Sequence, residues 1–117
     1  MFRKNITRKQ VIDYAKKKIS EGPIYLDTET TGLEKTDEII EIAIVDSQGK
    51  VIFESFFRPT INIPQAAINI HHISNEMVQN SPSWSERWSE IRELLIAHPI
   101  GMYNAEFDLR MIQQTLS

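Results

Sequence analysis

The sequence predicts an α/β domain: a mixed β-sheet flanked by helices. Three observations carry the prediction. Two β-branched and aromatic runs, 39–45 and 51–57, flank Asp46-Ser47-Gln48-Gly49-Lys50 and read as an antiparallel hairpin. A long amphipathic stretch, 84–95, then leads through Pro99 to a short apolar run, 100–103. A hairpin followed by a crossover helix and a further strand gives a sheet with both parallel and antiparallel pairs.

Taken in order, Thr7-x-x-Gln10 resembles a capping box, and Val11, Ala15 and Ile19 recur at helical spacing before Gly22-Pro23. A first helix is therefore expected over about 8–21. Ile24 to Asp27 is short and apolar, bounded by proline and by Thr-Gly, and suits a buried strand. Pro59 and Pro64 bracket a loop, and 64–82 reads as a short helical turn followed by loop. Ser83-x-x-Glu86 opens the next helix, with Trp84, Trp88, Ile91 and Leu95 on its apolar face, so the tryptophans are expected as core anchors. His98-Pro99 ends it, 100–103 forms the last strand, and Asn104 caps a helix starting near Ala105.

The chain has 117 residues, 41% hydrophobic and 25% charged, which suits one soluble globular domain and argues against disorder. It has no cysteine, so disulfides, thiolate metal sites and cysteine nucleophiles are excluded. No stretch suits a bilayer or a secretion signal, so the expectation is a cytoplasmic protein without membrane contact. Residues 1–18 carry seven basic groups against Asp13 alone, whereas 19–117 carry six basic and fifteen acidic groups. A basic N-terminal helix over 1–22 could steer phosphate toward an acidic site; a solvated helix face accounts for it equally well.

The chemistry centres on Asp27 and Glu29. The two-residue period of a strand puts both carboxylates on one face, where they repel unless a cation lies between them. Asp108 lies in the first turn of the last helix. If 24–27 and 100–103 are parallel neighbours, their C-terminal ends bring the three acids to one cleft.

Asp27-Thr28-Glu29-Thr30-Thr31-Gly32-Leu33 resembles the first motif of the DnaQ-like branch of the DEDD 3′-to-5′ exonucleases, which includes the proofreading subunit of the bacterial replicative polymerase. Asn104-Ala105-Glu106-Phe107-Asp108 resembles the second. The segments 37–43 and 70–78 also follow the family pattern, so the resemblance covers about 23–117. It implies a ribonuclease-H-like fold and a site with two Mg²⁺ or Mn²⁺ ions, Asp27 touching both, Glu29 one and Asp108 the other. It further implies that Thr30, Leu33, His71 and Asn104 meet the substrate, Leu33 as an apolar wedge under the terminal base. The implied partners are a nucleic acid 3′ end and a DNA polymerase. His71 is expected on a loop, and His72 stands where the family has glycine. Glu41 is expected to point away from Ile40 and Ile42, as a partner within the sheet or near the cleft, a structural role being preferred.

The family's third motif, a histidine followed five positions later by an aspartate, occurs nowhere in the 117 residues. That histidine is the general base, whose loss typically costs about 10²–10⁴ in rate. The expectation is the N-terminal portion of an exonuclease domain, without its last strand and helix and impaired as a nuclease, its open strand edge prone to homo-oligomer formation. The competing reading is a non-catalytic module that binds nucleic acid ends or a polymerase. Three convergent acids argue against it.

Overall fold

The computed structural model describes residues 7–10, 22–98, 100–102 and 105–116. Residues 8–10 are helical, and the Thr7 and Gln10 side chains each accept the other's backbone N–H, at 3.2 and 2.8 Å. The rest of the expected first helix lies outside the described residues.

Four strands form one sheet in the order β3-β2-β1-β4, with β1 Ile24–Thr30, β2 Ile39–Asp46, β3 Val51–Phe56 and β4 Ile100–Met102. β2 pairs antiparallel with both β1 and β3, and β4 pairs parallel with β1, Leu26 opposite Met102. The mixed sheet is thus the expected one. β1 runs three residues further than expected, because Thr28–Thr30 continue the ladder with β2. The β2–β3 turn is closed by the Asp46 carboxylate, which accepts the N–H groups of Gln48 and Lys50 at 2.9 Å, while Gly49 supplies the positive φ of 83°.

Four helices follow: α1 Gln65–His71, α2 Asn75–Val78, α3 Trp84–Ala97 and α4 Ala105–Leu116. The stretch 64–82 therefore holds two short helices, where one turn and loop were expected. Pro64 starts α1 with its φ already near helical, and Ser74 caps α2 by accepting the Met77 N–H. Ser83 caps α3 by accepting the Glu86 N–H at 3.3 Å. No helix among the described residues is long and apolar enough to cross a membrane.

One face of the sheet carries the main core. Ile24, Leu26, Ile42 and Ile44 pack there against Trp84 and Ile91 of α3 and Met111 and Ile112 of α4. Trp84 meets Phe57 edge-on at 4.9 Å and stacks on Trp88 at 5.8 Å, so the tryptophans are core anchors as expected. A smaller cluster of Ile40, Ile63, Ile73 and Val78 holds α1 and α2. The β1–β2 register shifts where Glu29 faces Glu41 and Thr30 faces Ile39, leaving Ile40 as the extra residue. This bulge separates Ile40 from Ile39 and Ile42: it packs in the second cluster, not with the strand's other isoleucines as a strict alternation requires.

Candidate active site

β1 alternates as a half-buried strand should. Ile24 and Leu26 are buried, Tyr25 and Asp27 are exposed, and Glu29 is partly buried, so Asp27 and Glu29 share the face opposite the main core. Burial first, and then the Asp27 carboxylate, push the Glu29 carboxyl above its usual range, with His71 opposing them. Glu41 stands directly across from Glu29 on β2. Its carboxyl is also raised, by burial and then by Glu29, Glu54 and Asp27 in that order. Glu41 thus belongs electrostatically to the acid pair, the place near the cleft rather than the purely structural role preferred for it.

The parallel pairing of β1 with β4 sends both strands toward the same end of the sheet. α4 begins three residues after β4, and Asp108 is its fourth residue. The backbone thus carries Asp108 to the end of the sheet where Asp27 and Glu29 stand. Its side chain, and Asn104 altogether, lie outside the described residues. Among the described residues no three ligating side chains cluster closely enough to hold a metal ion.

A cavity of about 470 Å³ opens beside Glu29, walled by the end of β1, the loop after it, α1 and Phe107 of α4. Three of the expected substrate residues line it: Thr30, Leu33 and His71. Leu33 is 71% exposed, as an apolar side chain offered to a ligand must be. Ile70, 79% exposed, lines the same cavity together with Pro64 and Ala67. Thr30 is buried, and its hydroxyl donates to the Gly32 carbonyl at 2.8 Å, so the proton that a substrate contact would use is engaged within the chain.

His71 is not on a loop but is the last residue of α1. Its Nδ1 accepts the Ile73 N–H at 3.0 Å, and its Nε2 lies 3.0 Å from the Thr30 carbonyl oxygen. The Ile73 N–H points at Nδ1 and the Thr30 carbonyl faces Nε2, a pair of contacts that an Nε2–H ring satisfies together. His71 therefore ties α1 to the end of β1 and turns its ring, with both nitrogens engaged, to the cavity. His72 adopts a left-handed backbone, φ 60° and ψ 23°, and closes α1 by donating its N–H to Ile68. Glycine suits that conformation best, so a side-chain-bearing residue there carries a backbone cost.

Sequence reasoning weighed a place near the cleft for Glu41 but preferred a structural one, and it missed the cavity wall of Ile70, Ala67 and Phe107. Glu41 faces Glu29 through the β1–β2 register, which the hairpin signal of 39–57 does not set. The wall depends on how α1 and α4 dock.

A family model for exonucleases (RNase_T) matches residues 24–117. Over 111 residues the sequence is 38% identical to an uncharacterized exonuclease, CP81, of Escherichia phage 186, covering 95% of this chain and 57% of that protein. It is 31% identical over 100 residues to the DNA polymerase III subunit epsilon of Rickettsia typhi, covering 80% of this chain and 44% of the subunit. The chain thus spans about half the length of these relatives. Among solved structures, Exonuclease X in complex with 5′-overhanging duplex DNA superposes with a TM-score of 0.60 at 31% identity, over 75% of this chain and 52% of that one. Escherichia coli Exonuclease I bound to an oligonucleotide gives a TM-score of 0.67 at 20% identity over 80% of this chain and 23% of that one, a likeness of fold.

Proposed function

The chain belongs to the RNase_T exonuclease family, and on that premise we propose that residues 23–117 carry the metal-binding and end-binding part of a 3′-to-5′ exonuclease site. The observation that carries this reading is the pairing of Asp27 and Glu29 on one strand face beside an apolar cavity, with α4 bringing Asp108 to the same end of the sheet.

The donor set suits a hard divalent cation such as Mg²⁺ or Mn²⁺: carboxylate oxygens only, with like charges that burial makes costly to hold apart from a counter-ion. Asp27, Glu29 and Asp108 are the residues that would hold it. Bound there, a pair of such cations would stabilise the charge that develops on a phosphodiester during hydrolysis and ease ionisation of the attacking water. The chain's own residues do the rest. Leu33, Ile70 and Phe107 offer apolar surface to a base at the strand end, and Thr30 and His71 border it; Asn104 is a further substrate residue by the family resemblance alone. The basic residues of 1–18 add long-range attraction for the phosphate backbone. The substrate is a nucleic acid with a free 3′ end, taken here as DNA, and the reading admits a DNA polymerase as partner.

The test is mononucleotide release in Mn²⁺ from oligonucleotides labelled at either end. The wild-type chain should release label first from the 3′ terminus, slowly, because no histidine in the sequence is followed five positions later by an aspartate. Asp27→Ala should abolish that release. Equal release by the mutant, or release from the 5′ terminus, would overturn the reading.

A further inference from the structure

One wall of the cavity is an excursion of the chain, residues 31–38, that leaves β1 and returns to begin β2. Its own residues draw it closed. The Thr31 N–H donates to the Glu38 carbonyl at 2.9 Å, and the buried Thr31 hydroxyl donates to Asp37 Oδ1 at 2.7 Å while accepting the Glu38 N–H. Asp37 Oδ2 accepts the Glu34 N–H at 2.8 Å. Gly32 lies so close under this carboxylate that a Cβ there would come within 2.5 Å of it. Leu33 rides on the outside of the excursion.

A second set of bonds reaches the loop from α4. Arg110 Nη2 donates to the Leu33 carbonyl at 3.0 Å, and Gln114 Nε2 donates to the carbonyls of Glu34 and Asp37 at 2.9 and 2.6 Å. Phe107, Arg110 and Gln114 follow at intervals of three and four, which puts them on one face of the helix. Phe107 lines the cavity, and the Arg110 guanidinium lies 5.5 Å over its ring. The helix that carries Asp108 in its first turn thus grips the loop that carries Leu33, by three bonds to backbone carbonyls.

We propose that Arg110 and Gln114 are positioning residues that hold the 31–38 loop so that Leu33 is presented to the terminal nucleotide; this rests on the exonuclease reading above. A leucine on a loose loop would lose conformational freedom when a base packs on it, and that loss would subtract from affinity. Gripping the loop beforehand removes the cost. The Gln114 carboxamide directs both of its N–H groups at carbonyls, so Gln114→Glu keeps the shape while turning donors into acceptors facing acceptors.

The test measures binding of the 117-residue chain, in Mn²⁺, to a 5′-fluorescent oligonucleotide whose 3′-terminal linkage is a phosphorothioate. Leu33→Ala and Gln114→Glu should each weaken binding about tenfold, the scale of one lost packed contact. The double variant should be no weaker than the worse single one, because both changes disable one element. Amide hydrogen exchange over 33–37 should quicken in Gln114→Glu while that of β2 stays as in the wild type. Gln114→Ala, which adds no charge, should give the same pattern with a smaller loss. If Leu33→Ala weakens binding and neither Gln114 variant does, or if the losses add, or if loop exchange is unchanged, the positioning role is overturned while the exonuclease reading stands. A wild-type chain that does not bind the oligonucleotide overturns both.

Discussion

Replacing Glu29 by glutamine should stabilise the metal-free chain and blunt its response to Mn²⁺. Glu29 stands two positions from Asp27 on β1 and directly across from Glu41 on β2. Strand geometry sets those separations at about 7 and 5 Å, which in a water-like dielectric correspond to repulsions of roughly 0.6 and 0.8 kcal/mol. Removing the charge should therefore return about 1.5 kcal/mol, or about 6 °C in Tm for a domain of this size. The sign follows from the direction of the shift. The folded carboxyl titrates above its ordinary 4.5, so between those two values the native state binds more protons than the unfolded state, and stability falls as pH rises through that window. Wild type and Glu29→Gln should melt together below about pH 4.5 and diverge above it. At a Mn²⁺ concentration ten times Kd the wild type should gain about 1.4 kcal/mol, and the variant much less because a ligand is gone. Thermal unfolding followed by circular dichroism, in EDTA and in Mn²⁺ across pH 4 to 8, checks both halves. A variant that melts at or below the wild-type temperature at pH 7, or equal Mn²⁺ shifts in the two proteins, would refute the assignment.

His72→Gly should raise stability by about 0.5–1 kcal/mol, read as a higher urea midpoint at unchanged m-value, because it relieves a left-handed backbone at a side-chain-bearing residue. Ile91→Ala, at a fully buried position of α3 in the main core, should cost about 2–4 kcal/mol by the same measurement. Among the described residues β4 pairs on one side only, with β1, so the chain is expected to associate as its concentration rises. Light scattering that shows a monodisperse monomer over a hundredfold concentration range would exclude this.

Much of the fold could be read in the sequence because its signals are local. The hairpin is announced by β-branched runs around a Gly-containing turn, and α3 by four apolar residues on one face behind a serine cap. The pair Asp27 and Glu29 was legible because a strand's period alone sets their relation. Residues 64–82 were not, because α1 and α2 are only seven and four residues long and owe their place to Ile63, Ile73 and Val78 packing under Ile40. A helix that short has little intrinsic stability, so no propensity pattern marks it. His71 was misplaced for the same reason. Its ring is engaged by Thr30, forty-one positions away, and nothing in the local sequence around either residue records that contact. The loop's attachment to Arg110 and Gln114, separated by about eighty positions, was likewise beyond local reading.

The candidate site divides its work between two kinds of surface, and the division explains why its parts sit where they do. Asp27, Glu29 and Glu41 crowd charge onto the open face of a strand pair, where the ladder fixes the backbone and repulsion cannot relax by moving it. A cation there would gain from charge already assembled when the chain folded. Leu33 and Ile70, by contrast, come from a loop and from a short helix that other parts of the chain hold: α4 bonds to the loop, and His71 ties α1 to Thr30. Loss of an acid should therefore alter metal response while leaving the cavity's shape alone. Loss of a tie should alter how a strand end is held while leaving the acids in place. The separation is itself a test: in Mn²⁺-free solution, hydrogen exchange over 33–37 should be the same in Glu29→Gln as in the wild type, although the two proteins differ in global stability.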